Sequence, residues 1–520
     1  MIYLFDYIDS IKNFSLEDTM RKTVTIGFVL ALWVIASFSA LNAQEKKEGE
    51  PAKETELVQP IKEEPKPAPK GKEALMIYSG EYFKVQLYGF VKADFLYNTA
   101  NFTHTSAPLN VVDQYSYWYL FSIAEAGPFR PYFVFSYLKT ASQRDGGFFG
   151  DLRTTRIGLK LTGPEALKAK TNAVIEGDFW GQMPNSGTAN RQGMFRMRHA
   201  VIKLEWPSNT SIMVGQFWSV AMPGVTADMV AFIPFGSMGL IFMREPQITL
   251  AQKVGIPKVF SINIEASIAR TQAGDDPGAS AMYVLGGVLY NVPYLYPGDR
   301  NSQLDFAGAG EASKIPGFRG RVTIDLKPHD LFALKLGCSA HYQIERQALT
   351  FSNYYTAGLL SASQWILITQ KTSRAVHSFS IGPFASVNIH FLTLLGAMYV
   401  GDNMDTFLLG MGRGVVESFA NTKYYAVRTI GGWAQAQFDL RKLGPIPLKL
   451  CAGFGTEVKP DNKLYTPGTQ LYVRTYEGNL WWYLNDYLSL GAEVQHIAGK
   501  YKGAPLSKGM KYQMAMNFVF

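Results

Sequence analysis

Charged side chains recur at even spacings in three consecutive stretches of this chain. Arg156 and Lys160 stand in "RIGLKL", Glu176 and Asp178 in "AVIEGDF", and Arg196 and Arg198 in "RMRHAVIKLEW". Residues two apart share one face of an extended strand, so each stretch presents its charges as a row. Rows on neighbouring strands would lie side by side, and two uses of that arrangement stay open. Opposite charges can brace a wall as a cross-strand ladder, or they can border a watery passage and select ions by sign.

Enzyme chemistry is not expected. "GMGRG" (410–414) resembles a fragment of a phosphate loop but lacks the strand, turn and helix that such a loop requires. "GDNMD" and "GDDPG" are acidic without the spacing of a calcium loop. His377 and Ser378 are adjacent, and adjacent strand residues point to opposite faces. His199 and His496 fall on or near the apolar parity, which suits an interface better than a reaction. No catalytic residue, metal site or cofactor is assigned.

The charged rows require strands to carry them. "VQLYGFVKADFLY" puts Val85, Leu87, Val91, Ala93 and Phe95 on one face and Lys84, Gln86, Lys92 and Asp94 on the other. Similar alternation returns in "INIEASI", "RGRVTIDLK", "ALKLGCSAHYQIER" and "LSLGAEVQH". Aliphatics outside and charges inside describe a barrel with a lipid-facing exterior and a watery lumen. In "RMRHAVIKLEW" the charges change parity, and a bulge near Ala200 to Ile202 would reconcile them. Short connections are expected at "GPEAL", "PSNT", "GIPK", "KPHD", "KLGPIP" and "NDY". Long ones are expected at Asn98 to Gly150, Gln272 to Pro316 and Ala348 to Ser373. The fold class is therefore all-β: a transmembrane antiparallel β-barrel of about sixteen strands, with short turns on the periplasmic side and long extracellular loops. Trp180, Trp206, Trp218, Trp481 and Trp482 fall near strand ends, where interfacial aromatic girdles are expected.

The last strand supports the same class. In "KYQMAMNFVF" the residues Tyr512, Met514, Met516, Phe518 and Phe520 form an apolar face that runs to the chain end. Chain ends fray unless tied down, and a barrel in lipid must pair its last strand with its first. Tyr512, Phe518 and Phe520 read as a signal to the outer-membrane assembly machinery.

At the other end, Arg21 and Lys22 precede "TVTIGFVLALWVIASFSALNA", an apolar run followed by "QEKKEGE". This fits a secretory signal peptide over residues 20–43, although Leu41 stands where a small residue is preferred and a retained anchor is the competing reading. Residues 1–19 read as an over-called start, because Met20 directly precedes the basic pair. Residues 44–81, rich in Pro, Lys and Glu, read as a solvated periplasmic linker, and residues 82–520 as the barrel. Both termini are then periplasmic, and the protein resides in the outer membrane, in contact with its lipid.

The chain carries 50 Lys+Arg against 42 Asp+Glu, and residues 73–520 hold an excess of nine positive charges. A basic excess around a watery interior favours small anionic solutes; nucleic acid is not an expected partner. The two cysteines, Cys338 and Cys451, fall on opposite parities and should remain free thiols. Ser219 to Glu245 forms a long apolar connection in which Ala221 to Met238 carries most of the apolar content. Exposed to water it would be an unfavourable patch. It is expected to fold into the lumen as a constriction, with packing against a neighbouring subunit as the alternative.

In their order, "YGFVKADFLYN", "RTTRIGLKL", "AVIEGDFWG", "FRMRHAVIKLEW", "MVGQFWS", "REPQITLA" and "NLWWYLNDYLSLGAEVQH" resemble the DcaP-like family of outer-membrane porins across residues 82–520. The resemblance implies a sixteen-stranded homotrimeric porin passing small anionic solutes, dicarboxylates among them. It matches Arg196, Arg198 and Arg244 to the family's basic lumen residues, and Glu176 and Asp178 to its acidic block. Two departures stand out. Pro60, Pro65, Pro67 and Pro69 argue against the continuous N-terminal helix of the family, and the Ser219 to Glu245 connection is unusually apolar and rich in Met. An outer-membrane enzyme and a structural outer-membrane anchor remain as alternative functions.

Overall fold

The computed structural model describes residues 75–99, 116–120, 134–138, 147–181, 193–231, 235, 238–271, 281–285, 288–292, 310, 313–354, 367–407, 414–418, 423–460, 470–501 and 506–520. The expected signal peptide, the early start and all of the linker before residue 75 lie outside these residues.

Sixteen antiparallel strands close into a barrel. They are β1 (Lys84–Asn98), β2 (Arg156–Ala166), β3 (Ala169–Gly181), β4 (Met194–Glu205), β5 (Thr210–Trp218), β6 (Arg244–Ile256), β7 (Phe260–Ala269) and β8 (Gly317–His329). Then follow β9 (Phe332–Tyr354), β10 (Leu367–Ile389), β11 (Leu392–Asp402), β12 (Arg428–Asp439), β13 (Leu448–Val458), β14 (Gln470–Tyr483), β15 (Leu488–Tyr501) and β16 (Leu506–Val519). Each pairs with its successor, and β16 returns to pair with β1 from Phe90↔Val519 to Asn98↔Lys511.

The expected alternation is visible in β16, where Tyr512, Met514, Met516 and Phe518 are exposed on the outer face. Lys511, Gln513, Ala515 and Asn517 are buried on the inner one. In a bilayer this pattern leaves hydrocarbon against apolar side chains and keeps backbone groups paired within the wall. The seam ends on Phe520, whose backbone nitrogen donates to the Gly89 carbonyl at 3.0 Å and whose carbonyl accepts from the Gly89 nitrogen at 3.0 Å. Phe520→Asp should therefore impair barrel assembly more than conduction through any barrels that form. The fraction of heat-modifiable, membrane-inserted protein measures this; normal amounts would remove the terminal residue's role in closure.

One rim carries the short connections. The turn after β2 is the pair Leu167 and Lys168, with φ of 54° and 61°, the two-residue geometry that matches the twist of paired strands. The "GPEAL" turn is thus displaced, since β2 continues through Ala166. A tight turn at His390 and Phe391, between β10 and β11, had no clear punctuation in the sequence.

The opposite rim carries the long connections, with two corrections. The stretch Ala348 to Ser373 is not all loop: β9 and β10 are each 23 residues long and stay paired out to Tyr354↔Leu367. Beyond the hydrocarbon a strand need not alternate, so its period-two signal fades while its backbone pairing continues. Within Asn98 to Gly150, the strand Gly147–Asp151 pairs with the far half of β1, and residues 152–155 bulge out before β2 takes over the near half. Thr155 Oγ1 accepts from the Lys92 nitrogen across that gap at 3.2 Å.

The last part of the expected linker is also ordered structure. Met76–Ser79 forms a strand on the edge of β1 that β16 leaves free, with Met76 opposite Gln86 and Ser79 opposite Lys84. The tryptophans divide. Trp482 is exposed on the outer face, as a girdle residue would be, whereas Trp218 and Trp481 are buried inside. They turn inward because the lumen itself holds apolar packing.

Candidate functional site: a charged ladder and a segment inside the lumen

β2, β3 and β4 bring most of the early charged row together. Arg156 faces Asp178, and Asp178 faces Arg196, across successive rungs. The expected bulge exists, but at Arg198 rather than at Ala200 to Ile202: Glu176 lies opposite His199 while Gly177 lies opposite Met197. The extra residue allows both Arg198 and His199 to be buried inside, so His199 does not occupy the outer interface expected from its parity. His496 is half-buried and stands beside the exposed Tyr476 ring on the outer wall.

Arg196 grips Asp178 with both ends of its fork, at 2.9 and 2.7 Å. Arg198 bridges the two acids, reaching Glu176 at 2.7 Å and Asp178 at 2.8 Å. Arg156 lies 3.5 Å from Glu176, and the Tyr88 hydroxyl donates to the same carboxylate at 2.9 Å. Three guanidiniums thus share two carboxylates. The Arg196 side chain is 35% exposed, against 7% for Arg156 and 0% for Arg198, so it is the ladder's open edge. Lys160 is exposed, with its ammonium 5.1 Å from the Tyr88 ring. Arg244 opens β6, and its guanidinium lies 4.9 Å from the Trp218 ring centre. Arg198 lies 5.6 Å from the same ring, so Trp218 links Arg244 to the ladder.

The connection between β5 and β6 spans residues 219–243, and its root is closed by Ser219 donating to the Met243 carbonyl at 2.9 Å. Ser219 is buried at this root, where its hydroxyl accepts from the Ala221 nitrogen at 3.2 Å. Glu245, expected as part of the connection, belongs to β6 instead. It lies opposite Phe217 and is fully buried in an ion pair with Arg319 at 3.0 Å.

The segment folds inward. Ala221, Met222, Val225, Phe235, Met238, Leu240, Ile241 and Phe242 join one buried cluster with Trp433, Tyr399 and Phe384 of the wall. Burial of this apolar surface is the main force placing the segment inside. The segment passes close against the wall at Gly239, whose φ of 102° suits glycine. A Cβ at Gly239 would collide with the backbone of Gly432. Arg321 and Lys335 donate to the Met222 and Gly224 carbonyls at 3.1 and 3.4 Å.

A closed barrel with its β5–β6 connection folded inside can be compared with solved structures. The outer membrane channel DcaP of Acinetobacter baumannii matches at a TM-score of 0.55 and 13% identity, over 85% of this chain and 99% of that one. The fold is that of an outer-membrane porin. OmpT of Vibrio cholerae is more distant, at a TM-score of 0.44 and 8% identity over 85% of this chain and 99% of its own. The anion-selective porin of Comamonas acidovorans stands at 0.42 and 11%, over 84% and 100%. No protein-family model matches the sequence, and no curated protein matches it.

The barrel wall also holds a serine–histidine contact that the sequence reading missed. His341 of β9 bonds Ser380 through Nδ1 at 2.6 Å and Ser378 through Nε2 at 2.9 Å, both on β10. Strand register, which a single sequence does not fix, places them together. Both ring nitrogens contact serines, the Ser378 hydroxyl is committed to the Asn403 carbonyl at 2.6 Å, and the ring is buried against Phe407. Among the described residues no carboxylate is bonded to this imidazole, as a nucleophile–base pair with an orienting acid would require. Cys338 and Cys451 are both free thiols, Cys451 being buried inside.

Proposed function

We propose that this chain is an outer-membrane porin, a passive diffusion channel for small hydrophilic solutes with a preference for anions, carboxylates among them. The observation that carries the anion preference is the ladder of three guanidiniums on two carboxylates, with Arg196 at its open edge and Arg244 close by. A positive charge about 5 Å from a passing anion is worth roughly 3 kcal/mol at an effective dielectric constant near 20. That is enough to favour one sign of ion strongly before salt screening reduces it. Solutes move down their gradient, and the segment 219–243 narrows the cross-section they share. Arg196 and Arg244 face the selective stretch, Arg156 and Arg198 stand buried behind them, and Glu176 and Asp178 hold the arginines of the ladder in place.

Membership of the DcaP-like family, a homotrimeric state and periplasmic termini belong to the same reading. The ordered sequence blocks, the fold shared with DcaP and the position of the start of β1 and the end of β16 toward the short-turn rim support it. The apolar outer wall supports contact with membrane lipid, and the paired terminal Phe520 supports delivery by the assembly machinery.

In a planar bilayer separating two concentrations of potassium chloride, the reversal potential should have the sign of chloride preference. Cation preference, or no conductance from folded protein, would overturn the reading.

A further inference from the structure

Apolar packing alone does not fix the lumen segment. Residues 228–231 are fastened by polar side chains from β1 and from β12 to β16. The Asp228 carboxylate accepts from Lys449 Nζ at 2.7 Å and from Trp481 Nε1 at 3.0 Å. Its backbone nitrogen donates to Gln435 at 2.8 Å, and its carbonyl accepts from Gln435 and Asn479, each at 2.8 Å. One oxygen of Glu493 accepts the Val230 and Ala231 nitrogens at 2.6 and 3.1 Å. The Val230 carbonyl accepts from Lys92 at 2.6 Å and Gln513 at 3.2 Å. Lys511 stands behind Glu493 at 3.5 Å, and Asp94 behind Lys92 at 2.9 Å.

We propose that Asp228 and Glu493 are positioning residues that clamp the middle of this segment to the β12–β16 wall and so set the width of the passage beside the arginine ladder. Most of these bonds go to the segment's backbone, and the Asp228 carboxylate adds two from its side chain, one of them to the Lys449 ammonium. They include ionised partners, which make stronger hydrogen bonds than neutral ones. The clamp holds the segment against β12 to β16 and β1, the part of the wall that runs up to the ladder strands β2 to β4. Released, the middle of the segment can move across the aperture while its root at Ser219 and Met243 stays tied. The width claim rests on reading the lumen as a solute path; the clamp does not.

The protein contains its own reporter. Cys451 is buried on β13, two residues from Lys449 on the same face, and lies opposite Asn479 on β14. It therefore lies among the groups that hold Asp228. In a Cys338→Ala background, a water-soluble maleimide should label Cys451 slowly in the folded channel. Asp228→Asn with Glu493→Gln should raise the labelling rate roughly tenfold or more, the loss of one charge-assisted hydrogen bond or better. Mean conductance should fall and flicker, while the heat-modifiable mobility of the barrel stays normal.

Unchanged labelling in folded protein overturns the clamp. Faster labelling with unaltered conductance overturns its control of width. If the double variant does not fold, Asp228→Asn alone carries the same expectation, because its side chain is 25% exposed and the change is isosteric. Labelling reads the clamp even in protein that passes no current, so failure of the channel reading is seen separately.

Discussion

Shortening Ala221 to Met238 should raise single-channel conductance severalfold. A barrel of sixteen strands is wide enough to leave an aqueous channel once its interior is unfilled. Here a cluster that includes Met222, Phe235, Met238 and the wall residue Trp433 occupies part of that interior. Removing the segment removes the obstruction, and a wider narrowest section passes more ions. It also removes large buried side chains that each contribute about 1.5–3 kcal/mol. The unfolding temperature should therefore fall as the conductance rises. If the segment's main role were to clasp a neighbouring subunit, conductance per pore would stay constant and the oligomer would dissociate in milder detergent. A stable oligomer of unaltered conductance would reject both roles.

The wall was legible because the bilayer imposes its own rule. Outward positions must be apolar, so Tyr512, Met514, Met516 and Phe518 announce a strand and its orientation together. The ladder was legible for a related reason: Arg156, Asp178 and Arg196 share a parity on strands that are consecutive in the chain, so their meeting needs no knowledge of distant register. The position of the bulge was less accessible, because Arg198 and His199 are both buried inside and only the pairing with Glu176 and Gly177 reveals which residue is extra. The seat of the lumen segment could not be read at all. Asp228 stands out as a lone acid in an apolar run, but its partners Lys449, Gln435, Asn479 and Trp481 come from three other strands. Trp481 was misread for the same reason, since an inward tryptophan makes sense only once something inside the barrel binds its ring nitrogen. The Met76–Ser79 strand was hidden by its polar neighbours in the sequence, and only its pairing with β1 sets it apart.

Neutralising Arg196, Arg198 and Arg244 together should move the reversal potential in a salt gradient toward cation selectivity. The sign follows from the count at the ladder. Arg156, Arg196 and Arg198 exceed Glu176 and Asp178 by one charge; without two of those arginines, Arg156 alone faces both acids and the balance becomes negative. The single changes should separate selectivity from stability. Arg196→Gln removes a charge that is 35% exposed at the open edge and leaves the buried Asp178 paired with Arg198. It should shift selectivity with little loss of folded protein. Arg198→Gln instead leaves two buried carboxylates without their shared partner, a cost of about 3 kcal/mol or more. It should lower the unfolding temperature sharply whatever it does to selectivity. If the triple variant weakens folding and leaves the reversal potential unchanged, the ladder is a brace for the wall and the anion preference must come from elsewhere in the lumen.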